Sequence, residues 1–371
     1  MLAGQCADHL ADQLCSPYGG ATAIPGTTHV SNAGQRFDDV VISGLAHVDA
    51  PHVVTSESIE EQLAPAMQRL GVRPGLLTGL VGIHERRFWD AGVQPSEVAA
   101  DAGELALQKS GVGKAAVGVL INTSVSRDYI EPSTASIIHG RMELPPEAIN
   151  FDLGNACLGF INGMNLVAGM IERGEIEHGL VVNGEGSRFA VESTIARLQR
   201  TEDPKVFREQ FATLTLGSGA VAMVLSRAGT VDAGHRFLGG LSRARTEHAL
   251  LCTAQLDEMR TDTRELLLAG LEVGALTWKE AVGSFGWDAD GFDLYAVHQV
   301  SQVHTRAVCE TLGLDYDKFP LIFPRFGNIG PASVPIVLSK AADDGRLSSG
   351  DRVALMGIGS GINAAAAEVV W

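Results

Sequence analysis

The sequence predicts an α/β fold of several layers, built from two related halves. A turn at Gly154–Asn155 leads into an apolar stretch and then a strand-like segment, and a turn at Gly327–Asn328 begins a second unit of the same kind. The stretches that follow the two turns, 158–171 and 331–340, are apolar almost all the way round. A helix without a polar face belongs in the interior of a protein. Two such helices between two sheets predict an α-β-α-β-α arrangement.

The other elements of the first half follow from local patterns. Short apolar runs are typical of strands that are covered on both faces. The helical pattern that starts near Ser56 stops before Gly71, and a second one stops at a glycine-rich segment after Lys109, which are common places for a helix to end. Strands are predicted at 38–48, 117–122, 149–153 and 219–225, and helices at 56–70 and 99–109.

The chain divides into an extension and the two halves. Residues 1–36 show only a weak periodicity of apolar residues and are rich in small residues, so we interpret them as an N-terminal extension. The first half is predicted at 37–226, with an inserted, mostly helical cap at about 189–211. The second half is predicted at 227–371; it contains an amphipathic helix at 259–282 and closes with a strand at 364–371.

Composition and charge exclude several classes of function. A net charge of −16 argues against nucleic acid and against anionic membrane surfaces as partners. No stretch reaches the roughly 18 apolar residues of a membrane span, and the first 36 residues do not resemble a secretory signal. The cysteines are odd in number and show no metal-ligand spacing, which predicts a reduced, cytoplasmic protein without a metal site. They are Cys6, Cys15, Cys157, Cys252 and Cys309.

Cys157 is the candidate nucleophile. It lies between a strand and a buried helix, where free backbone N–H groups and the helix dipole stabilise a thiolate, so we expect a lowered pKa. Gly154 and Gly159 suit a tight turn that exposes the sulfur. The alternative is an inert core cysteine, which is the commoner fate of this residue type.

His298 and Asn328 are the candidates to act with Cys157. His298 follows a short strand, where a structural histidine is the alternative; His304 is the more ordinary of the two histidines. Asn328 lies three residues before Pro331, where a turn-forming role is the alternative. Because Cys157 and Asn328 belong to corresponding turns of the two halves, we expect them to converge. A thiolate with a His and an Asn that polarise a carbonyl fits acyl transfer through a thioester.

Four ordered motifs resemble the ketoacyl synthase III-like branch of the thiolase superfamily. They are D-L-G-N-A-C-L-G-F at Asp152–Phe160, V-H-Q-V-S at Val297–Ser301, G-N-I-G-P-A-S-V-P at Gly327–Pro335 and G-I-G-S-G at 357–361. The resemblance covers about residues 37–371. It implies the five-layer thiolase fold, a dimer and a triad of Cys157, His298 and Asn328. The last motif suggests that the backbone N–H of Ser360 joins that of Cys157 in an oxyanion hole, although a tight packing turn is its plainer interpretation.

Two further segments are similar to OleA-type enzymes, which join two fatty acyl-CoA molecules head to head. These segments are Ile121–Ser136 and G-I-H-E-R-R from Gly82. The resemblance implies that Glu131 crosses the dimer interface and removes an α-proton in the partner's site, because a carbanion made without decarboxylation needs a base. From the sequence alone, Glu131 is a surface carboxylate before Pro132.

The resemblance implies condensation of two long-chain acyl-CoAs to a 2-alkyl-3-ketoacid, a first step toward long-chain olefins or β-lactones. No cofactor is expected, since the CoA thioesters are substrates. A decarboxylating ketoacyl synthase III-type enzyme that uses a malonyl thioester is the first alternative. The second is the catalytic subunit of a heterodimeric condensing enzyme, although a homodimer is the leading expectation.

Overall fold

Fourteen strands and ten α-helices run through residues 34–371, the part of the chain that this computed structural model describes. The strands are β1 (Gly34–Arg36), β2 (Val40–Asp49), β3 (His52–Thr55), β4 (Glu85–Phe88), β5 (Val117–Asn122), β6 (Ile149–Asp152), β7 (His178–Glu185), β8 (Gly219–Arg227), β9 (His235–Ala244), β10 (Cys252–Ala254), β11 (Met259–Thr261), β12 (Leu294–Val297), β13 (Arg352–Gly359) and β14 (Asn363–Val370). The helices are α1 (Ser56–Leu70), α2 (Pro95–Ser110), α3 (Thr134–Arg141), α4 (Gly159–Glu172), α5 (Arg188–Leu198), α6 (Pro204–Gln210), α7 (Thr263–Phe285), α8 (Gln302–Leu312), α9 (Phe323–Phe326) and α10 (Ser333–Asp343).

The strands repeat one pattern in the two halves. In the first half the order is β6-β5-β7-β8-β2, with β5 parallel to β7 and the next two pairs antiparallel. In the second half the order is β12-β13-β14-β9, where the parallel pair β12-β13 is also followed by two antiparallel pairs. The first half has one more parallel pair, β6-β5. A short pairing of β2 with β9 joins the halves into one hydrogen-bonded sheet, where the sequence predicted two.

Helices α4 and α10 lie between the two halves. Their apolar side chains share one buried cluster with residues from the strands of both halves; it includes Phe160, Met164, Ile336 and Leu338. Helices α2 and α3 cover the other face of the first half, and α7 and α8 cover that of the second. The prediction of five layers is confirmed. The buried helices bring the start of α4 and the turn before α10 to the centre of the molecule.

A cap with its own apolar cluster covers this centre. Helices α5 and α6 occupy the segment that the sequence predicted as an inserted cap. Their side chains pack with α1 and β4 in a cluster that is separate from the one between the halves. That cluster contains Ile59, Leu63, Phe88, Val191, Ile195 and Phe207.

Two predicted boundaries differ from the structure. Residues 34–36, assigned to the extension, form β1 and pair with β9; the other predicted extension residues, 1–33, lie outside the described part. The helix predicted from residue 259 begins at Thr263, because Asp262 caps it by accepting from the Glu265 N–H, and residues 259–261 pair with β10 instead. Along the described chain, no helix is long and apolar enough to cross a membrane.

Candidate active site

Cys157 lies in the tight turn between β6 and α4. Ala156 holds this turn with a φ of 44°, a left-handed conformation that is uncommon for a residue with a side chain. The Asn155 side chain supports it: its Nδ2 donates to Asn162 Oδ1 at 2.7 Å, and its Oδ1 accepts from Asn363 Nδ2 at 3.1 Å. The turn therefore fixes Cys157 at the start of the buried helix, with contacts to both halves.

Burial controls the protonation state of Cys157. It raises the pKa of the thiol to about 12, with smaller contributions from the nearby Cys252 and Glu185, and a backbone hydrogen bond only partly opposes the rise. We predicted a lowered pKa from the helix start; that prediction is wrong, since desolvation outweighs the local backbone. The resting group is a neutral thiol, so its proton must leave during acylation.

Two glycines of β13 let this strand approach the Cys157 turn. A Cβ on Gly359 would lie 3.4 Å from the Cys157 backbone nitrogen, and a Cβ on Gly357 would lie 2.6 Å from Leu158 Cδ2. Ser360 follows directly and lines the same cavity as Cys157. This arrangement is compatible with an oxyanion hole formed by the Cys157 and Ser360 N–H groups, whose roles stay a prediction.

His298 and Asn328 form a hydrogen-bonded pair beside this turn. His298 Nε2 lies 3.2 Å from Asn328 Oδ1, and the same oxygen accepts from the Gly330 N–H at 3.0 Å. Since Oδ1 is an acceptor, His298 carries its proton on Nε2 and donates it. Burial lowers the pKa of His298 to about 4, so the ring is neutral near pH 7. Within residues 34–371, nothing accepts from Asn328 Nδ2, which leaves this N–H group for a ligand.

Cys157, His298, Asn328 and Ser360 line one cavity of about 1760 Å³. Ordinary small-molecule pockets measure roughly 300–1,000 Å³, so this cavity has room for a larger ligand. Its walls come from the cap, from the turn at 76–80 and from the hairpin of β10 and β11. The apolar side chains include Leu76, Leu80, Phe207, Phe211, Leu250, Leu251, Leu256 and Met259. Such a cavity suits a ligand with long hydrocarbon chains.

Glu131 does not line this cavity. It is exposed on the loop between β5 and α3, beside Ile130, which is 93% exposed, and Tyr129, which is 60% exposed. The structure thus brings three of the four predicted catalytic residues together within one chain and leaves Glu131 at the surface. A base that serves a neighbouring subunit would occupy such a position, and this role stays a prediction.

Two further groups line the cavity wall: the buried Glu185, which sequence reasoning missed, and the half-buried His304, which it set aside. Glu185 ends β7 and is 6% exposed; burial raises its pKa to about 7. His304 lies in the first turn of α8, and burial and the neighbouring His298 lower its pKa to about 4. The only sequence signal for Glu185 was a carboxylate at the end of an apolar strand. In residues 34–371, no group of three or more His, Cys, Asp or Glu side chains could hold a metal ion.

Two family models and several known proteins match this chain. The family model for 3-oxoacyl-[acyl-carrier-protein] synthase III matches residues 151–240, and the model for its C-terminal part matches residues 284–371. An acyl-CoA:acyl-CoA alkyltransferase from Xanthomonas campestris is 48% identical over 336 residues, which cover 90% of this chain and 99% of the relative. One from Shewanella oneidensis is 34% identical over 91% of this chain and 100% of the relative.

A solved structure shows the same fold. It is that of a Cys-to-Ser variant of OleA from Xanthomonas campestris, with bound lauric acid and lauroyl-CoA. Its TM-score is 0.89 at 48% identity, and the match covers 90% of this chain and 100% of that chain. The sequence motifs, the five layers and these relatives together place the chain: it belongs to the acyl-CoA:acyl-CoA alkyltransferases, acyltransferases of the ketoacyl synthase III-like branch with the thiolase fold.

Proposed function

We propose that this protein joins two long-chain fatty acyl-CoA molecules by a non-decarboxylative Claisen condensation. The products are CoA and a 2-alkyl-3-ketoacid, as in the first step of long-chain olefin or β-lactone biosynthesis. The observation that carries the proposal is the meeting of Cys157, His298 and Asn328 at the wall of one large, mainly apolar cavity. The alkyltransferase relatives and the structure with bound lauroyl-CoA support it.

In the first half-reaction, Cys157 Sγ attacks the thioester carbonyl of one acyl-CoA. The C–S bond to CoA breaks, and the thiol proton moves to the departing CoA sulfur, so that the enzyme carries an S-acyl group. Because the thiol proton leaves with the CoA sulfur, a free thiolate need not accumulate. A thiol with a pKa of about 12 can therefore still act as the nucleophile. Backbone N–H groups of Cys157 and Ser360 would stabilise the negative oxygen of the tetrahedral intermediate.

In the second half-reaction, Asn328 Nδ2–H donates to the carbonyl oxygen of the second acyl-CoA. His298 Nε2–H exchanges its hydrogen bond to Asn328 Oδ1 for one to the same carbonyl oxygen. A neutral histidine suits this task, since it donates a hydrogen bond without giving up its proton. Glu131 of the neighbouring subunit takes the α-proton. The resulting carbanion attacks the Cys157 thioester; a C–C bond forms and the bond to Sγ breaks. The sulfur takes up one proton and Glu131 releases the one that it removed, so thiol and carboxylate are both restored. Water then hydrolyses the remaining CoA thioester.

The proposed assembly is a homodimer. Support comes from the exposed apolar side chains on the Glu131 loop and at the edge strand β6, where Ile149 is 50% exposed. A heterodimer in which this chain is the catalytic subunit is the alternative, and the native mass of the purified protein distinguishes the two. We further propose a cytoplasmic enzyme without a cofactor; the unpaired Cys157, Cys252 and Cys309 support a reducing compartment.

The deciding experiment compares the wild type and Glu131→Ala, each mixed with myristoyl-CoA alone. For the wild type we expect a 2-alkyl-3-ketoacid with twice the carbons of myristate, or the ketone left after it loses CO2, by mass spectrometry. For Glu131→Ala we expect normal acylation of Cys157 and a loss of condensation of about 10²–10⁴-fold, which is typical of a missing general base.

Glu147→Ala is the matched control, since Glu147 is also an exposed carboxylate. Acylated Cys157 without coupled product from the wild type would contradict the proposal. If product then formed with CO2 release on addition of a malonyl thioester, the enzyme would be a decarboxylating synthase. Normal condensation by Glu131→Ala would show that another group is the base.

A further inference from the structure

Glu185 links the cavity to the loop that carries Glu131. Its carboxylate is nearly buried, lines the cavity with Cys157 and lies against the turn that holds Asn328: a Cβ on Gly330 would be 3.8 Å from Glu185 Cδ. No role in the steps above has been assigned to it. Burying a carboxylate costs free energy unless hydrogen bonds or a counter-charge compensate for the lost water.

The hydrogen bonds of Glu185 converge on the start of that loop. Oε1 accepts from the Val125 N–H at 2.8 Å, and Oε2 accepts from the Ser126 N–H at 3.1 Å and from Ser126 Oγ at 2.8 Å. Asn183 Nδ2 also donates to Oε1, at 3.3 Å. No cation is paired with Glu185 along the described chain. The loop therefore depends on an acceptor with two oxygens at this place.

A second carboxylate holds the middle of the same loop. Asp128 accepts from the Ser96 N–H at 3.0 Å and from its hydroxyl at 2.5 Å, which ties the loop to the start of α2. Glu131 lies three residues further on and is exposed. The path from Val125 to Glu131 is thus fixed at its start by a residue of the cavity wall and at its middle by a surface helix.

We propose that Glu185 is a positioning residue for Glu131: from the wall of its own subunit's cavity, it holds residues 125–131 in the shape that presents Glu131 to the neighbouring subunit. The inference rests on the proposed function, in which Glu131 acts across the dimer. The start of the loop, at Val125, then belongs to the cavity of its own subunit, and its end, at Glu131, belongs to the active site of the neighbouring subunit. A defect at Glu185 would then appear in the partner's condensation step and not in its own subunit's acylation step.

The test uses Glu185→Gln in dimers of defined composition. The amide keeps the size of the carboxylate but offers one acceptor oxygen, so an N–H donor of the loop meets an NH2 group. Two tagged chains are co-expressed and purified over both tags. In the first pair, one chain carries Cys157→Ser and Glu185→Gln and the other is wild type. In the second pair, one chain carries Cys157→Ser and the other Glu185→Gln.

Each pair has one cysteine that can be acylated, and the pairs differ in which chain supplies Glu131 to it. We expect the first pair to lose condensation by about 10-fold to 100-fold, because its base comes from the Glu185→Gln chain. We expect the second pair to match a reference pair of Cys157→Ser with wild type. Acylation of Cys157, followed by intact mass, stays normal in both pairs. Glu147→Gln in place of Glu185→Gln leaves condensation unchanged.

Three outcomes overturn the proposal. Loss in the second pair alone means that Glu185 acts within its own site; equal loss in both pairs means a general structural role; no loss in either pair means no role. Ser126→Ala in place of Glu185→Gln removes the hydroxyl contact from the loop side, and we expect the same pattern in weaker form. A Cys157→Ser, Glu131→Ala chain paired with wild type tests the base itself, so full condensation by that pair refutes the proposed function and not the anchoring of the loop.

Discussion

At the scale of the residue, burial determines the charge of the site. His298 and His304 both have a pKa of about 4, below the ordinary value of 6.5, because desolvation favours the neutral ring. Each histidine therefore stays neutral in the folded protein at a pH where the unfolded chain already binds a proton. Such a group contributes stability above pH 6.5, and this contribution is lost as the pH falls through 4.

We expect the free energy of unfolding to fall between pH 6.5 and 4, and His304→Gln to flatten this decline. The difference between the two curves should reach roughly 3 kcal/mol at most, since one pKa unit corresponds to about 1.4 kcal/mol. Urea unfolding at a series of pH values measures it. His139→Gln is the control. His139 lies on the outer helix α3, and its ring nitrogen is 3.1 Å from the carbonyl oxygen of Pro145, so the variant also replaces a hydrogen-bonded histidine. If the free energy of unfolding fell with pH equally in the wild type and in His304→Gln, the lowered pKa of His304 would be contradicted.

At the scale of the element, the distance between β13 and α4 shapes the nucleophile turn. Gly357→Ala places a Cβ 2.6 Å from Leu158 Cδ2, at the residue after Cys157. We expect a loss of about 1–3 kcal/mol in stability, as for other overpacked interiors, together with slower acylation of Cys157. Thermal unfolding and intact mass after a pulse of acyl-CoA measure the two effects.

The matched control is Gly283→Ala, since nothing lies within 4 Å of a Cβ at this position in α7. Gly283→Ala should raise the free energy of unfolding by about 1 kcal/mol, because alanine has a higher helix propensity than glycine. If Gly357→Ala were as stable and as active as the wild type, β13 would not restrain the start of α4.

At the scale of the whole molecule, the proposed reaction needs two subunits. Ile149 lies on the edge strand β6 and is half exposed, and a lysine there would place a charge at the proposed interface. We expect Ile149→Lys to be monomeric by analytical ultracentrifugation, to acylate Cys157 and to lose condensation. Val282→Lys is the control: Val282 is 42% exposed on α7, in the outer layer of the second half. A monomer that still condensed two acyl-CoAs would show that no group from a partner is needed.

Much of the site was predictable because repeated turns occupy repeated places. Cys157 and Asn328 could be expected to converge, since each precedes one of two apolar helices, and the structure places both at one cavity with His298. The pKa of Cys157 was not predictable, because desolvation depends on all neighbours and not on the helix start alone. Glu185 was missed because its partners, Val125 and Ser126, are distant in sequence.

Because the cap has its own apolar cluster, its residues can change in evolution separately from the residues at the centre. The nucleophile turn and the His298–Asn328 pair lie at the starts of the two central helices, α4 and α10. The apolar walls of the cavity come partly from α5 and α6, which pack in a separate cluster. Selection on the length or branching of the acyl chains can therefore act on the cap while the centre that makes the C–C bond is retained. Paralogues with one chemistry and different lipid products would diverge first in residues 188–210.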